Sequence, residues 1–524
     1  MATALLIETG VPEVSLNTGH SLLVVSNREP YLHTRRCDGS ISVQSTTGGV
    51  SVALDALMRV RGGTWVAAGS GDADRQVVDE NDRIAVPIEA PSYMLRRIWL
   101  SEEDERRYYN GFANEGLWPL AHTVHVRPRF RTEDWEIYRR VNERFAAAVA
   151  DELGGPDESV FIQDYHLALV ADGLRRLEPR VRTAFFWHIP WPSPDRLRIC
   201  PWRREIMKGL LANDVLAFQV EHDRRNFLLA VRDELDASVD RGLVQFEGHS
   251  TRLIAAPISV DFDRIDRIAR DPGLQTEVAQ LFRDERLDDP LIEVIGVSVD
   301  RIDYTKGILE RLDAIDRLLT RRPELRSTLA FVQVGVPSRS TVRSYAALER
   351  RVDARVAEIN TRHGKGPALG PIRYRKQALE LRPLIALYRL ADFCVVSSLH
   401  DGMNLVAKEF VAAREDLGGV LVLSEMTGAA EELTDAVLTN PYHVDGFAQA
   451  LADAIDMSPM ERTLRMRALR RVVSGRNVFR WATHILDHLE DPLRAAAAIT
   501  PGHSAGSGPA VLRRMVESAS NVRG

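Results

Sequence analysis

Residues 392–410 read DFCVVSSLHDGMNLVAKEF: an apolar run, a polar turn at His400-Asp401-Gly402-Met403-Asn404, then a helical pattern. A run that is apolar almost throughout suits a strand buried on both faces of a parallel sheet. The three- and four-residue apolar steps that follow suit a helix packed against it. The same unit recurs outward in both directions. Strand-like runs stand at SLLVVSN (21–27), SVFIQDY (159–165), TAFFWHI (183–189), DVLAFQV (214–220), LIEVIGVSV (291–299), TLAFVQVGV (328–336) and GVLVLSE (419–425), and helical patterns stand between them. This alternation predicts the α/β class with doubly wound parallel sheets. Two blocks of units flank the charged, weakly patterned stretch 261–290, where a domain boundary is expected. Two Rossmann-like domains in series would turn the carboxyl ends of their strands toward one cleft, and chemistry belongs on the loops that follow those strands.

The composition bounds the function. The chain has 524 residues with 68 Lys+Arg against 74 Asp+Glu, a formal net charge of −6, which gives no electrostatic reason to bind nucleic acid or an anionic membrane. No apolar run approaches the roughly 18–20 residues of a membrane span. Three scattered cysteines, Cys37, Cys200 and Cys394, make neither a disulfide framework nor a zinc site, so a reducing compartment, the cytoplasm, is expected. The Gly/Ser/Pro-rich 500–510 reads as part of a disordered tail. An assembly of identical copies is left open.

Several loops carry groups suited to an anionic sugar substrate. In the 400–404 turn, Asp401 and Gly402 open a helix whose first N–H groups favour a phosphate or sugar hydroxyls, and Glu409 stands on its second turn. A carboxylate can accept two hydrogen bonds from a vicinal diol; an N-cap aspartate with a solvated glutamate gives the same pattern. After the 291–299 run comes Asp300-Arg301-Ile302-Asp303-Tyr304-Thr305-Lys306-Gly307. Arg301 and Lys306 suit a clamp on a diphosphate leaving group, or else are surface cations balanced by Asp300 and Asp303. Arg28 and Arg339 end strands in the two blocks, Gly48-Gly49 opens a helix, and Asp164 and His188 end aromatic strands where they could meet sugar hydroxyls. The segment YYNGFANEGLWP (108–119) is an aromatic wall for the acceptor side or a satellite core.

Other motifs fail. Asp72-Ala73-Asp74 has the D-x-D form of some metal-dependent sugar transferases, but no further ligands gather around it. Gly69-Ser70-Gly71-Asp72-Ala73-Asp74 lacks the third glycine of the dinucleotide fingerprint, His363-Gly364-Lys365-Gly366 lacks the Walker pattern, and there is no nucleophile elbow.

Taken in order, SNR (26–28), GG (48–49), YYNGFANEGLWP, QDYH (163–166), FFWHIPWP (185–192), SVDRIDYTKG (298–307), PSR (337–339), DGMNLVAKEF (401–410) and GAAEEL (428–433) resemble the trehalose-6-phosphate synthase family of retaining glycosyltransferases. The resemblance implies a GT-B fold with an acceptor domain over 1–275, joined by a crossing back of 476–495, a nucleotide-sugar domain over 285–475, and a tail over 496–524. It implies glucose transfer from UDP- or GDP-glucose to glucose 6-phosphate, with no cofactor and no catalytic metal. Related enzymes that use glycerol 3-phosphate or join cyclitols remain the alternative within the fold; a non-catalytic sugar-phosphate sensor is the alternative outside it. By motif, the resemblance makes Arg301 and Lys306 the diphosphate clamp, Gly49 a backbone contact to it, and Asp401 with the backbone of Gly402, Met403, Asn404 and Leu405 the donor-glucose site. His188 becomes the partner of the donor 6-hydroxyl and Glu409 the ribose ligand. Arg28, Tyr109, Trp118 and Arg339 become the acceptor-phosphate pocket, with Asp164 near the acceptor sugar. Arg301, Lys306, Asp164 and His188 are the residues expected to carry the chemistry.

Overall fold

The computed structural model describes residues 22–46, 48–155, 158–339, 342–364 and 370–490. The expected tail at 496–524 lies outside the described residues, as do residues 1–20.

The first half builds strands β1 (Leu22–Arg28), β2 (Tyr31–Arg35), β3 (Ile41–Ser45), β4 (Thr64–Gly69), β5 (Arg83–Val86), β6 (Tyr93–Trp99), β7 (Ser159–Gln163), β8 (Arg182–Trp187), β9 (Val215–Phe218), β10 (Ser238–Asp240), β11 (Leu243–Phe246) and β12 (His249–Ala255). Ten of them form one sheet in the order β10-β11-β12-β9-β8-β7-β1-β4-β6-β5, and β2 and β3 form a separate hairpin. The second half builds β13 (Val294–Arg301), β14 (Leu329–Val336), β15 (Ile372–Arg375), β16 (Phe393–Val396), β17 (Val420–Ser424) and β18 (Val437–Thr439), in the order β15-β14-β13-β16-β17-β18. Every pair in the second sheet is parallel. The middle of the first is parallel too, with antiparallel pairs only toward its ends. Central strands such as β7 and β17 are buried along their whole length, as parallel strands covered by helices on both faces must be.

Strand order places the function. In the first sheet the chain runs outward from β1 through β4 to β6, then returns to lay β7, β8 and β9 on the other side. In the second it runs from β13 through β14 to β15, then returns to lay β16, β17 and β18. Each sheet therefore has a switch point, between β1 and β7 and between β13 and β16, where the loops diverge and leave a crevice at the carboxyl ends of the strands. Arg28 ends β1, and the loops after β7, β13 and β16 carry Asp164, Lys306 and Asp401.

The stretch 261–290 is not an unstructured divider. It holds the helices Phe262–Arg270 and Gln275–Asp284, which are fastened to the second half. Asp266 pairs with Arg470 at 2.5 Å, Asp271 and Glu277 with Arg382 at 2.7 and 2.6 Å, and Glu285 with Arg375 at 3.0 Å. A first domain reaching to 275 would cut through these contacts. We propose the division at 256–261 instead, just past the last strand of the first sheet. The charge that made the stretch look like a linker is the charge that docks it.

At the other end, the helix Val478–Glu490 lies on the first sheet. Trp481 packs on Phe161 of β7 and Phe186 of β8, with ring centroids 5.6 and 5.1 Å apart. Among the described residues no helix is long and apolar enough to cross a membrane. Trp481 is 4% exposed. Trp481→Ala is expected to cost about 3–5 kcal/mol through the cavity it leaves, read by calorimetry as a lowered first unfolding transition; an unchanged transition would show that the helix is not part of this core.

Candidate active site

The turn after β16 is built around Asp401. Its Oδ2 accepts from Lys306 Nζ at 2.6 Å, Ser398 Oγ at 3.0 Å and Asn404 Nδ2 at 3.2 Å. Burial works to raise the Asp401 carboxyl, but the Lys306 ammonium outweighs it and holds the group down to about 2. Asn404, at φ 86°, caps the helix Leu405–Ala413 by accepting from the Ala407 N–H at 3.1 Å. The following GAAEEL loop locks on: the Gly428 N–H donates to the Asp401 carbonyl and the Ala429 N–H to the Met403 carbonyl. No acidic residue stands in the first turn of the Leu405–Ala413 helix or of the helix Gly49–Arg61, so both positive helix ends are uncompensated by side chains there.

These two helix ends meet. A Cβ on Gly49 would fall 2.7 Å from Leu405 Cδ1, and one on Gly402 would fall 2.3 Å from the His188 carbonyl oxygen. Only glycine allows that second approach, because backbone cannot swing aside as a side chain can. Beside this seam, His188 Nε2 meets Gln163 Oε1 at 2.9 Å, and its Nδ1 has no hydrogen-bond partner within the chain. Burial drives the imidazole down to about 3, so it is neutral at pH 7. With Gln163 Oε1 as acceptor, Nε2 carries the proton and Nδ1 offers a lone pair to a hydroxyl.

A second polar group lies at the ends of β1, β13 and β14. Arg28 Nη2 donates to Tyr109 Oη at 2.6 Å. Trp118 takes the guanidinium of Arg339 at 4.4 Å and that of Arg301 at 5.5 Å from its ring. Arg339 also donates to Tyr345 Oη at 2.6 Å and lies 3.4 Å from Tyr165 Oη across the cleft. Asp303 is buried among these cations, 3.5 Å from Arg339 and 4.0 Å from Arg301. Burial would raise its carboxyl, but Arg301 and Arg339 outweigh that and keep it below its ordinary value. Burial alone would likewise raise the Tyr109 phenol, yet Arg339, Arg28 and Arg301 hold it down to about 8. Arg28, Tyr109 and Arg339 line a cavity of about 770 Å³ together with Asn110 and Arg131.

Asp164, at φ 74°, accepts from the Tyr165 and His188 N–H groups at 2.9 and 3.2 Å. It therefore stands between the two polar groups, and burial lifts its carboxyl to about 7. Glu409 lies on the next turn of its helix and accepts from Tyr388 Oη at 3.1 Å, with its carboxyl raised by burial.

The expected residues thus separate into two groups joined at Asp164. Lys306, Asp401 to Leu405, Gly49 and His188 form one; Arg28, Tyr109, Trp118 and Arg339 form the other. Arg301 reaches over the Trp118 ring and Lys306 bonds Asp401, while both cations act on the Asp303 carboxylate. Sequence reading missed Tyr345 and the part played by Asp303. Asp303 lies inside the quoted SVDRIDYTKG motif, but Tyr345 has no local signal, since only the packing of the helix Arg343–His363 brings it under Arg339. The D-x-D pair is structural. Asp72 accepts from the Arg35 N–H, and Asp74 is buried with Arg97 at 2.9 Å, while Arg97 holds Glu29 at 2.7 Å. No metal-ligand cluster occurs among the described residues.

Two Rossmann-like sheets that close their switch-point loops on one cleft define the GT-B class of glycosyltransferases. The family model of glycosyltransferase family 20 matches residues 20–491, and the chain belongs to that family. A trehalose-6-phosphate synthase of Mycolicibacterium vanbaalenii is 39% identical over 482 residues, covering 90% of this chain and 96% of the relative. A solved UDP-forming α,α-trehalose-phosphate synthase from Burkholderia xenovorans, in complex with glucose-6-phosphate, is 31% identical with a TM-score of 0.79, covering 90% of this chain and 100% of that one. A structure from E. coli bound with UDP-2-fluoro glucose is also 31% identical, with a TM-score of 0.78 over 90% and 99% of the two chains.

The raised Asp164 carboxyl gives a stability signature. A folded pKa of about 7 against about 3.9 unfolded means that the folded state holds this proton more tightly, so stability from the protonated form is lost as pH rises from about 4 through 7. Asp164→Asn keeps an oxygen for both N–H donors and removes the half-buried charge. Its melting temperature is expected to exceed the parent's by roughly 2–4 °C at pH 8, with little gain near pH 4. An equal difference at both pH values would contradict an ionising Asp164.

Proposed function

We propose that this chain transfers glucose, with retention, from a nucleoside diphosphate glucose to glucose 6-phosphate, giving trehalose 6-phosphate and the nucleoside diphosphate. The observation that carries the reading is the pair of separate cation groups in one cleft, one at facing helix ends and one in an aromatic pocket, with Asp164 between them. Two phosphorylated substrates meeting at their sugar ends need that arrangement. The named activity of the relatives, and the glucose-6-phosphate and UDP-2-fluoro glucose bound in two of the solved structures, support it.

In this reading Lys306, the helix ends at Gly49 and Leu405, and Arg301 take the donor diphosphate. Asp401 with the backbone of Gly402 and Met403 holds the donor glucose, His188 Nδ1 accepts from its 6-hydroxyl, and Glu409 meets the ribose. Arg28, Tyr109, Trp118 and Arg339 hold the acceptor phosphate, and Asp164 the acceptor sugar. The bond from the donor anomeric carbon to the diphosphate oxygen breaks, and a bond from that carbon to the acceptor's anomeric oxygen forms on the same face. The acceptor's proton passes to the departing diphosphate oxygen. The chain supplies position and positive charge where the diphosphate charge grows. Fixed cations and helix ends do this without calling for a metal or cofactor, and the free thiols of Cys37, Cys200 and Cys394 support a cytoplasmic setting.

Incubation with UDP-glucose or GDP-glucose and either glucose 6-phosphate or glycerol 3-phosphate tests the substrate assignment; no product with glucose 6-phosphate would refute it. Activity is expected to survive EDTA and Asp72→Ala. Lys306→Ala and Arg301→Ala are each expected to lower kcat by about 10²–10³-fold with the fold intact, and near-parent turnover would refute the clamp. Arg339→Ala should instead act mainly on the KM for glucose 6-phosphate, a split visible in initial-rate measurements with each substrate varied in turn.

A further inference from the structure

The chain passes between the two sheets twice, at 256–261 and at 475–478. The two passages lie side by side, for the Val478 N–H donates to the Val260 carbonyl at 3.1 Å. Ile258, in the first passage, is fastened on both sides. Its N–H donates to Gln219 Oε1, just past β9 of the first sheet, at 3.0 Å. Its carbonyl accepts from Lys408 Nζ, on the Leu405–Ala413 helix, at 2.7 Å.

Each tie leads straight to the seam of the cleft. Gln219 Nε2 donates to the His188 carbonyl at 3.3 Å, the same carbonyl that abuts Gly402. Lys408 sits on the helix whose first turn carries Leu405, against Gly49. Lys408 is 1% exposed, and its ammonium pairs with Glu432 at 2.5 Å; the other Glu432 oxygen takes Arg476, in the second passage, at 2.8 Å. One charged string therefore touches both passages and the donor-side helix.

Burying an ammonium is costly, and an apolar residue of similar volume packs without that cost. What the charge adds is direction: a short hydrogen bond to one carbonyl of the connecting segment, which an apolar side chain cannot make. We propose that Lys408 is a positioning residue: by holding the Ile258 carbonyl it fixes the angle at which the two sheets close, and so sets the Leu405–Ala413 helix against His188. The role rests on the cleft being the site of glucosyl transfer, but its structural consequence does not depend on which acceptor is used.

The double variant Lys408→Met/Glu432→Gln removes both charges together, so that neither is left buried alone. Full-length parent and variant are compared by small-angle scattering, without ligand and with UDP or GDP added, and by the KM for the nucleotide sugar. The variant is expected to have a larger ligand-free radius of gyration that contracts on adding nucleotide. Its KM should rise about tenfold, while kcat at saturation stays within about threefold. A role in stability alone would lower the melting temperature and leave radius and KM at parent values, and a folded double variant with those values overturns the proposal. If the double variant does not fold, Arg476→Ala, at an exposed side chain, loosens only the outer tie and is expected to raise KM about two- to fivefold; an unchanged KM there overturns the proposal as well. Failure of the parent to make product from glucose 6-phosphate would refute the substrate reading and leave the scattering comparison standing.

Discussion

The His188 carbonyl occupies the place that any side chain on residue 402 would need. That approach, carbonyl against Cα, is what brings the carboxyl ends of two separate sheets within reach of one substrate pair. It forces glycine at 402 and ties the turn that carries Asp401 to the strand end that carries His188, while the helix ends at Gly49 and Leu405 come together nearby. The polar groups on each side then need only short reaches to act on one ligand. Because the contact is backbone on backbone, it transmits small changes in sheet angle directly into the site.

A chain with net charge −6 manages the cations of its cleft by lending each a partial partner. Lys306 leans on Asp401, Arg339 and Arg301 share Asp303, and Arg28 rests on a phenol. None of these arrangements saturates a guanidinium or ammonium, which can donate several hydrogen bonds each. The carboxylates hold the cations in place and keep the buried cleft from carrying a large unpaired charge. Asp303, surrounded by three cations in its own domain, is the clearest case, and it explains why the motif after β13 alternates acid and base rather than presenting a basic patch.

Much of this was legible in the residues. The apolar runs gave strands within two or three residues of their observed ends, because a parallel strand buried on both faces leaves little latitude in composition. The turn at 400–404 and the SVDRIDYTKG motif announced themselves because strand end, polar loop and helix start are contiguous. What the sequence could not show was anything fixed by packing between distant segments. Tyr345 reaches Arg339 only once a long helix is laid down, and Gln219 meets Ile258 only across a sheet edge. The attachment of 262–285 leaves no local mark for a physical reason: ion pairs such as Asp266 with Arg470 span about two hundred positions, and their members look like ordinary surface charge until both are in place.

The return of the Val478–Glu490 helix to the first sheet also orders events during synthesis. Phe161 and Phe186 emerge from the ribosome early, but the indole that covers them, Trp481, follows the last strand of that sheet by more than two hundred residues. At translation rates of about 5–20 residues per second, that face waits on the order of ten seconds or more for its cover. During that interval the second half must fold as an insertion inside an unfinished first half. Nascent chains of this protein therefore carry an exposed aromatic face until the Val478–Glu490 helix arrives to cover it.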